Sequence, residues 1–164
     1  MKRNIVLLAL TAALTFSCSS DKDNENNDSI VGTWDLTAYE IDEATATDDQ
    51  EFARDILEFL ALIDCTILSY TFNEDGTVIS RDSGDYLEID VNQGGSGLDI
   101  PCPEESDVED GMYTFEEGVL TYMDEVEGNT EVNVEISNNT IRIGGADLGI
   151  DNFADGGTLI FSRR

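Results

Sequence analysis

The 164-residue chain sets 36 acidic side chains against 8 basic ones and contains no histidine, for a formal net charge of −28 at pH 7. So negative a surface repels phosphate backbones and anionic headgroups, which argues against nucleic acid or acidic lipid as direct partners. Without histidine there is no Ser–His or Cys–His nucleophile pair and no histidine metal site, so neither an enzyme nor a cofactor protein is expected.

The chain opens Met1-Lys2-Arg3-Asn4, runs apolar from Ile5 to Phe16 and reaches Ser17-Cys18-Ser19-Ser20. A basic start, a short apolar core and a small residue at its end make a secretory signal peptide over residues 1–17. At about 20 residues a membrane span would need to be longer than this core. Leu14-Thr15-Phe16-Ser17-Cys18 resembles a bacterial lipobox, which implies cleavage before Cys18 and acylation of that residue; an ordinary secretory signal with an incidental cysteine is the alternative. Residues 18–29 are charged and polar after the cysteine and read as a flexible acidic tether. An acidic stretch in this place resembles the export signals of some Gram-negative lipoproteins, which implies an outer-membrane, cell-surface location; a plain spacer is the alternative. The rest, residues 30–164, is one domain. Hydrophobic residues make up 40% of the chain and alternate regularly, which argues for a folded core.

Ile30 to Glu40 reads as the first strand, with Trp34, Leu36 and Ala38 on one face. A helix is expected over 48–64. Thr47-Asp48-Asp49-Gln50 has capping-box spacing, and Phe52, Ile56, Phe59, Leu60 and Ile63 form an apolar stripe. That stripe either packs on the barrel wall or closes one mouth, with Phe52 and Phe59 as lid residues. From Leu68 the period switches to two. Leu68, Tyr70 and Phe72 face one way, and Asn73-Glu74-Asp75-Gly76 makes a hairpin turn into Thr77 to Arg81. Tyr86 to Val91 is expected as a strand with Leu87, Ile89 and Val91 aligned, followed by a long loop from Asn92 to Asp110 that holds Cys102. If Cys18 is acylated, Cys65 and Cys102 remain as a pair that would bridge in an oxidising compartment; two free thiols are the alternative. A meander follows, from Met112 to Phe115, Val119 to Val126, Val132 to Ile136, Ile141 to Ile143 and Thr158 to Arg163. About eight or nine short strands with one inserted helix point to an all-β, antiparallel barrel or sandwich.

Gly32-Thr33-Trp34 in a first strand, the hairpin Tyr70-Thr71-Phe72-Asn73-Glu74-Asp75-Gly76-Thr77 and a last strand ending in arginine resemble the bacterial lipocalin-like lipoproteins. The resemblance covers most of residues 18–164 and is carried by the order and spacing of these motifs. It implies a lipocalin-like β-barrel, a lipid cysteine and often one disulfide. It also implies that Trp34 sits at the closed end beneath an arginine of the last strand. Arg163, which shares parity with Leu159 and Phe161, could reach Trp34 as a cation–π partner, with Arg142 and Arg164 as the alternatives.

A closed eight-stranded barrel is just wide enough to be filled by side chains or to hold one small ligand. Binding of a small hydrophobic or amphipathic ligand is therefore the leading expectation, with Leu68, Tyr70, Phe72, Tyr113, Phe115 and Tyr122 lining the site. The alternative is a solid-cored surface protein that binds a partner protein or glycan. Asp82, Asp85, Asp99, Glu104, Glu105, Asp107, Glu109 and Asp110 lie in or near loops, and such oxygen-rich loops suit calcium; a solvated acidic surface is the alternative.

Overall fold

In a computed structural model, residues 29–91, 97–124, 128–150 and 153–164 are described. The expected signal peptide, Cys18 and the tether up to residue 28 lie outside them. Gly32–Glu40 forms β1. Trp34 and Leu36 are buried in step with strand alternation, but a bulge between Leu36 and Ala38 shifts the register, so Tyr39 is buried where simple alternation would place Ala38.

The helix α1, Asp48–Leu62, begins where the capping box predicts. The Gln50 N–H donates to Thr47 Oγ1 at 3.3 Å, and the Thr47 N–H donates to Gln50 Oε1 at 2.9 Å. Its buried face is Gln50, Ile56, Leu57 and Leu60. Leu57 joins the barrel core, while Ile56 and Leu60 pack with Cys65 and Ile100 in a smaller cluster. Beside that cluster, Cys65 and Cys102 form a disulfide across 37 positions of sequence.

The remaining strands are β2 (Leu68–Phe72), β3 (Thr77–Asp82), β4 (Asp90–Val91), β5 (Leu98–Asp99), β6 (Asp107–Glu116), β7 (Val119–Asp124), β8 (Gly128–Ser137), β9 (Thr140–Gly144) and β10 (Thr158–Arg163). Eight of the ten close a barrel in the order β1-β10-β9-β8-β7-β6-β3-β2, every pair antiparallel. The closed antiparallel β-barrel with one inserted helix, expected from the sequence, is thus the fold observed. β4 and β5 form a separate two-stranded hairpin.

Two expectations need correction here. Tyr86 to Val91 is not a barrel strand. A 3₁₀ turn at Gly84–Tyr86 lifts the chain off the wall, leaving Ile89 and Val91 exposed while Leu87 packs on the cluster around the disulfide. The long loop ends earlier than Asp110, because β6 starts at Asp107 and pairs with β3 from Asp82↔Asp107 to Thr77↔Met112.

The register gives the barrel two unlike ends. Short turns at Asn73–Gly76, Glu117–Gly118 and Asn138–Asn139 gather at the end where β1 begins and β10 finishes. The connections bearing α1, the β4–β5 hairpin and the 3₁₀ turn Gly145–Leu148 lie at the other. Trp34, with no exposed surface, plugs the short-turn end. Its Nε1–H donates to the Ile30 carbonyl at 2.7 Å, and the Arg163 guanidinium carbon stacks 4.1 Å from its ring centroid. Arg163 also donates from Nη1 to the Val31 carbonyl and from Nη2 to the Ser29 carbonyl, both at 2.6 Å. Gly32 makes room for this arrangement: its φ is +135°, and a Cβ there would sit 2.5 Å from Arg163 Nη1.

Replacing Trp34 with alanine is expected to cost about 3–5 kcal/mol in a denaturant titration, as for a large buried aromatic. Gly32→Ala, which adds one methyl group, is expected to cost about 1–3 kcal/mol, because the added Cβ is strained at this φ and meets Arg163 Nη1. Reduction of Cys65–Cys102 should lower stability by about 3–4 kcal/mol, read as a shift in the unfolding midpoint with and without reductant.

Candidate functional site

The barrel wall alternates, and on β2 the inward side chains are Leu68, Tyr70 and Phe72. Opposite them in register, β3 turns Asp82, Ser80 and Val78 inward. β6 adds Asp107, Glu109, Gly111 and Tyr113, and β7 and β8 add Leu120, Tyr122, Thr130 and Val132. Together with Ile143 of β9 and Asp147, Leu148 and Ile150 from the β9–β10 connection, these residues enclose a cavity of about 490 Å³. Ligand pockets commonly fall in this size range, about 300–1,000 Å³.

The cavity changes character along the barrel axis. Near the Trp34 end its wall is apolar and aromatic. Phe72 packs edge-on against Tyr113 with ring centroids 4.9 Å apart, and Tyr70 lies 5.6 Å from Phe161. Gly111 leaves space for the Tyr122 ring, since a Cβ at that position would fall 2.5 Å from Tyr122 Cε2. At the opposite end the wall turns acidic, with Asp82, Asp85, Asp107, Glu109 and Asp147. Asp82 Oδ1 accepts the Gly84 N–H at 2.7 Å, and Asp107 Oδ1 accepts the Tyr86 hydroxyl at 2.9 Å. Burial pushes the Tyr70 phenol up to about 12, and the nearby charge of Asp82, then Tyr122 and Glu109, adds to the shift. The hydrogen bond to Asp107 raises Tyr86 above the ordinary tyrosine range.

Five of the six residues expected to line a ligand site meet around this cavity: Leu68, Tyr70, Phe72, Tyr113 and Tyr122. Phe115 does not, because it lies beyond Tyr113 toward the short-turn end and packs into the core below the cavity floor. Strand parity alone could have added Val78 and Ser80, which alternate with outward residues on β3. Asp147, Leu148 and Ile150 carry no such signal, since they come from an irregular connection.

The lid expectation is corrected. Phe52 and Phe59 are 50% and 38% exposed, and neither lines the cavity. The cause is the rotation of α1 about its axis. Gln50 is fixed by its cap and donates from Nε2 to the Tyr39 hydroxyl and the Asp155 carbonyl, at 3.3 and 3.4 Å, so the face bearing Gln50 and Leu57 turns inward. Of the acids considered for calcium, Asp82, Asp85, Asp107 and Glu109 reach the cavity. Among the described residues no three acidic side chains group as a metal site would.

No family model matches this chain, and no curated protein matches it. Among solved structures, a lipocalin-like protein from Bacteroides uniformis aligns with a TM-score of 0.40 and 15% identity, over 82% of this chain and 97% of that one. The barrel described above stands on its own strand register.

Phe52→Ala and Phe59→Ala are each expected to change stability by less than about 1 kcal/mol, as for exposed positions. Leu60→Ala, on the buried face of the same helix, is expected to cost about 2–5 kcal/mol. Thermal or chemical unfolding of the three variants checks the helix orientation.

Proposed function

We propose that this protein is a lipid-anchored, extracytoplasmic binding protein that holds a small hydrophobic or amphipathic ligand inside its barrel. The observation that carries the reading is the cavity of about 490 Å³, walled by aromatic and aliphatic side chains and lying above the Trp34 plug. A barrel filled by its own side chains, the basis of the solid-cored alternative, would leave no such space. The lining supplies Ser80 and Thr130 hydroxyls but no histidine to activate them, so the proposed role is binding without catalysis.

The anchor and the location rest on the sequence around Cys18, with the Cys65–Cys102 disulfide supporting an oxidising compartment. On this reading the mature chain begins at Cys18, carries acyl chains there and resides on the outer membrane, at the cell surface of a Gram-negative bacterium. Several buried methylenes at roughly 0.8 kcal/mol each suffice to hold it on a bilayer. Cys18→Ser is expected to move the protein from the membrane to the soluble fraction, with loss of the acylated N-terminal peptide by mass spectrometry.

Native mass spectrometry of the folded domain, purified from its own host, tests the binding role. A lipophilic adduct lost on denaturation is the expected result. Val132→Phe should abolish the adduct while costing only about 1–3 kcal/mol of stability by overpacking. A bare mass, together with no uptake of an apolar fluorescent dye, would leave the partner-binding alternative in its place.

A further inference from the structure

The charge around the cavity mouth is one-sided. Five carboxylates line it, Asp82, Asp85, Asp107, Glu109 and Asp147, and among the described residues no basic side chain does. The arginines of the described residues are all committed elsewhere. Arg54 pairs with Asp55, Arg142 with Glu40 and Arg164 with Asp35, and Arg163 stacks on Trp34 at the far end. Arg81 is on the outward face of β3, where it donates to Ser106 Oγ at 2.6 Å. The hydrogen bonds that Asp82 and Asp107 accept come from neutral donors, so they leave the negative charge in place.

Below this rim lies a wall of different chemistry. Tyr70 and Tyr122 stand between the acids and the apolar floor formed by Phe72, Leu120 and Val132. Aromatic faces attract cations, and their preference grows where water is excluded. The Tyr70 hydroxyl has no hydrogen-bond partner among the described residues and faces the same cavity. Its phenol is held above the ordinary tyrosine range by burial first and by the nearby charge of Asp82 second.

We propose that the ligand is a cationic amphiphile, an apolar chain or ring system ending in an ammonium or guanidinium group. Its apolar body lies against Phe72, Leu120 and Val132, and its charged head sits among Asp82, Asp107 and Glu109 beside the Tyr70 and Tyr122 rings. This deepens the proposed function and rests on the barrel being a binding site. A carboxylate-headed ligand such as a fatty acid would place its charge against five like charges, which complementarity at a binding site disfavours.

The test uses three probes that share a chain and differ in the head: decylammonium, decanol and decanoate. Each is titrated calorimetrically into the folded protein below its micellar concentration at physiological salt. Decylammonium is expected to bind at least about ten-fold more tightly than decanol, with decanoate weakest. Because the whole protein is acidic, two triple variants with the same charge change separate local from global attraction. Asp82→Asn/Asp107→Asn/Glu109→Gln should bring the ammonium preference below about three-fold, and Glu51→Gln/Glu131→Gln/Glu135→Gln, on the helix surface and outer wall, should keep it. Glu109→Gln alone, at an exposed position, gives a partial loss if the rim triple does not fold. Equal binding of decanol and decylammonium, tighter binding of decanoate, or equal losses in both triples would overturn the cationic assignment while leaving the hydrophobic site intact. Failure of all three probes to bind would overturn the binding reading itself.

Discussion

The Arg163 guanidinium stacked on the Trp34 ring is the contact on which the rest of this barrel depends. It lies at the seam between β1 and β10, where the first and last barrel strands meet in register at Trp34↔Arg163. One cation there satisfies two backbone carbonyls, covers an indole that has no exposed surface and fastens the segment entering β1. Such a contact is worth about 0.5–1 kcal/mol at an exposed position and up to about 2 when desolvated, and here the half-buried guanidinium adds hydrogen bonds that close the barrel floor. Gly32 is the condition for it, since any side chain at that position would occupy the path of the guanidinium.

With one end sealed, the other end is free to be irregular. Three short turns of the described residues, Asn73–Gly76, Glu117–Gly118 and Asn138–Asn139, belong to the sealed end. The open end carries the helix, the disulfide and the connections that bring acids and aliphatic residues to the cavity. Its order comes from a separate set of contacts. Tyr39 donates to the Gly156 carbonyl at 2.7 Å and packs edge-on against Phe153, which ties the β9–β10 connection to β1. Ile56, Leu60, Cys65 and Ile100 form their own small core beneath the helix. Stability and recognition are therefore assigned to opposite ends of one sheet.

Much of this division could be read from the residues, and the parts that could not have physical reasons. Strand parity placed Trp34, Tyr70, Phe72 and Tyr113 correctly because a two-residue period survives wherever pairing is regular. The bulge at Leu36–Ala38 broke that parity and turned Tyr39 inward, which no local pattern announces. Leu87, Ile89 and Val91 alternate as a strand should, yet the Gly84–Tyr86 turn directs only Leu87 to a buried surface. For α1 the start was legible from the capping box, but the face was not, and the helix ends at Leu62 rather than at 64. Phe52 and Phe59 outweigh Gln50 on any hydrophobic scale, whereas the structure buries Gln50 for the hydrogen bonds it makes to Tyr39 and Asp155. The acidic rim was visible only as scattered carboxylates, since their convergence depends on β6 pairing with β3 across a long excursion and on Asp147 arriving from β9–β10.

The same seam has a bearing on the timing of folding. Arg163 is 132 residues beyond Val31, to which it binds, and β10 is the wall strand that completes the circle beside β1. During synthesis from the N-terminus, Trp34 is made long before Arg163, and β1 lacks one wall neighbour until β10 has been made. Pairings of such large sequence separation form slowly, because the chain entropy of joining distant segments must be overcome first. The barrel can therefore close only once β10 is available to pair with both β1 and β9.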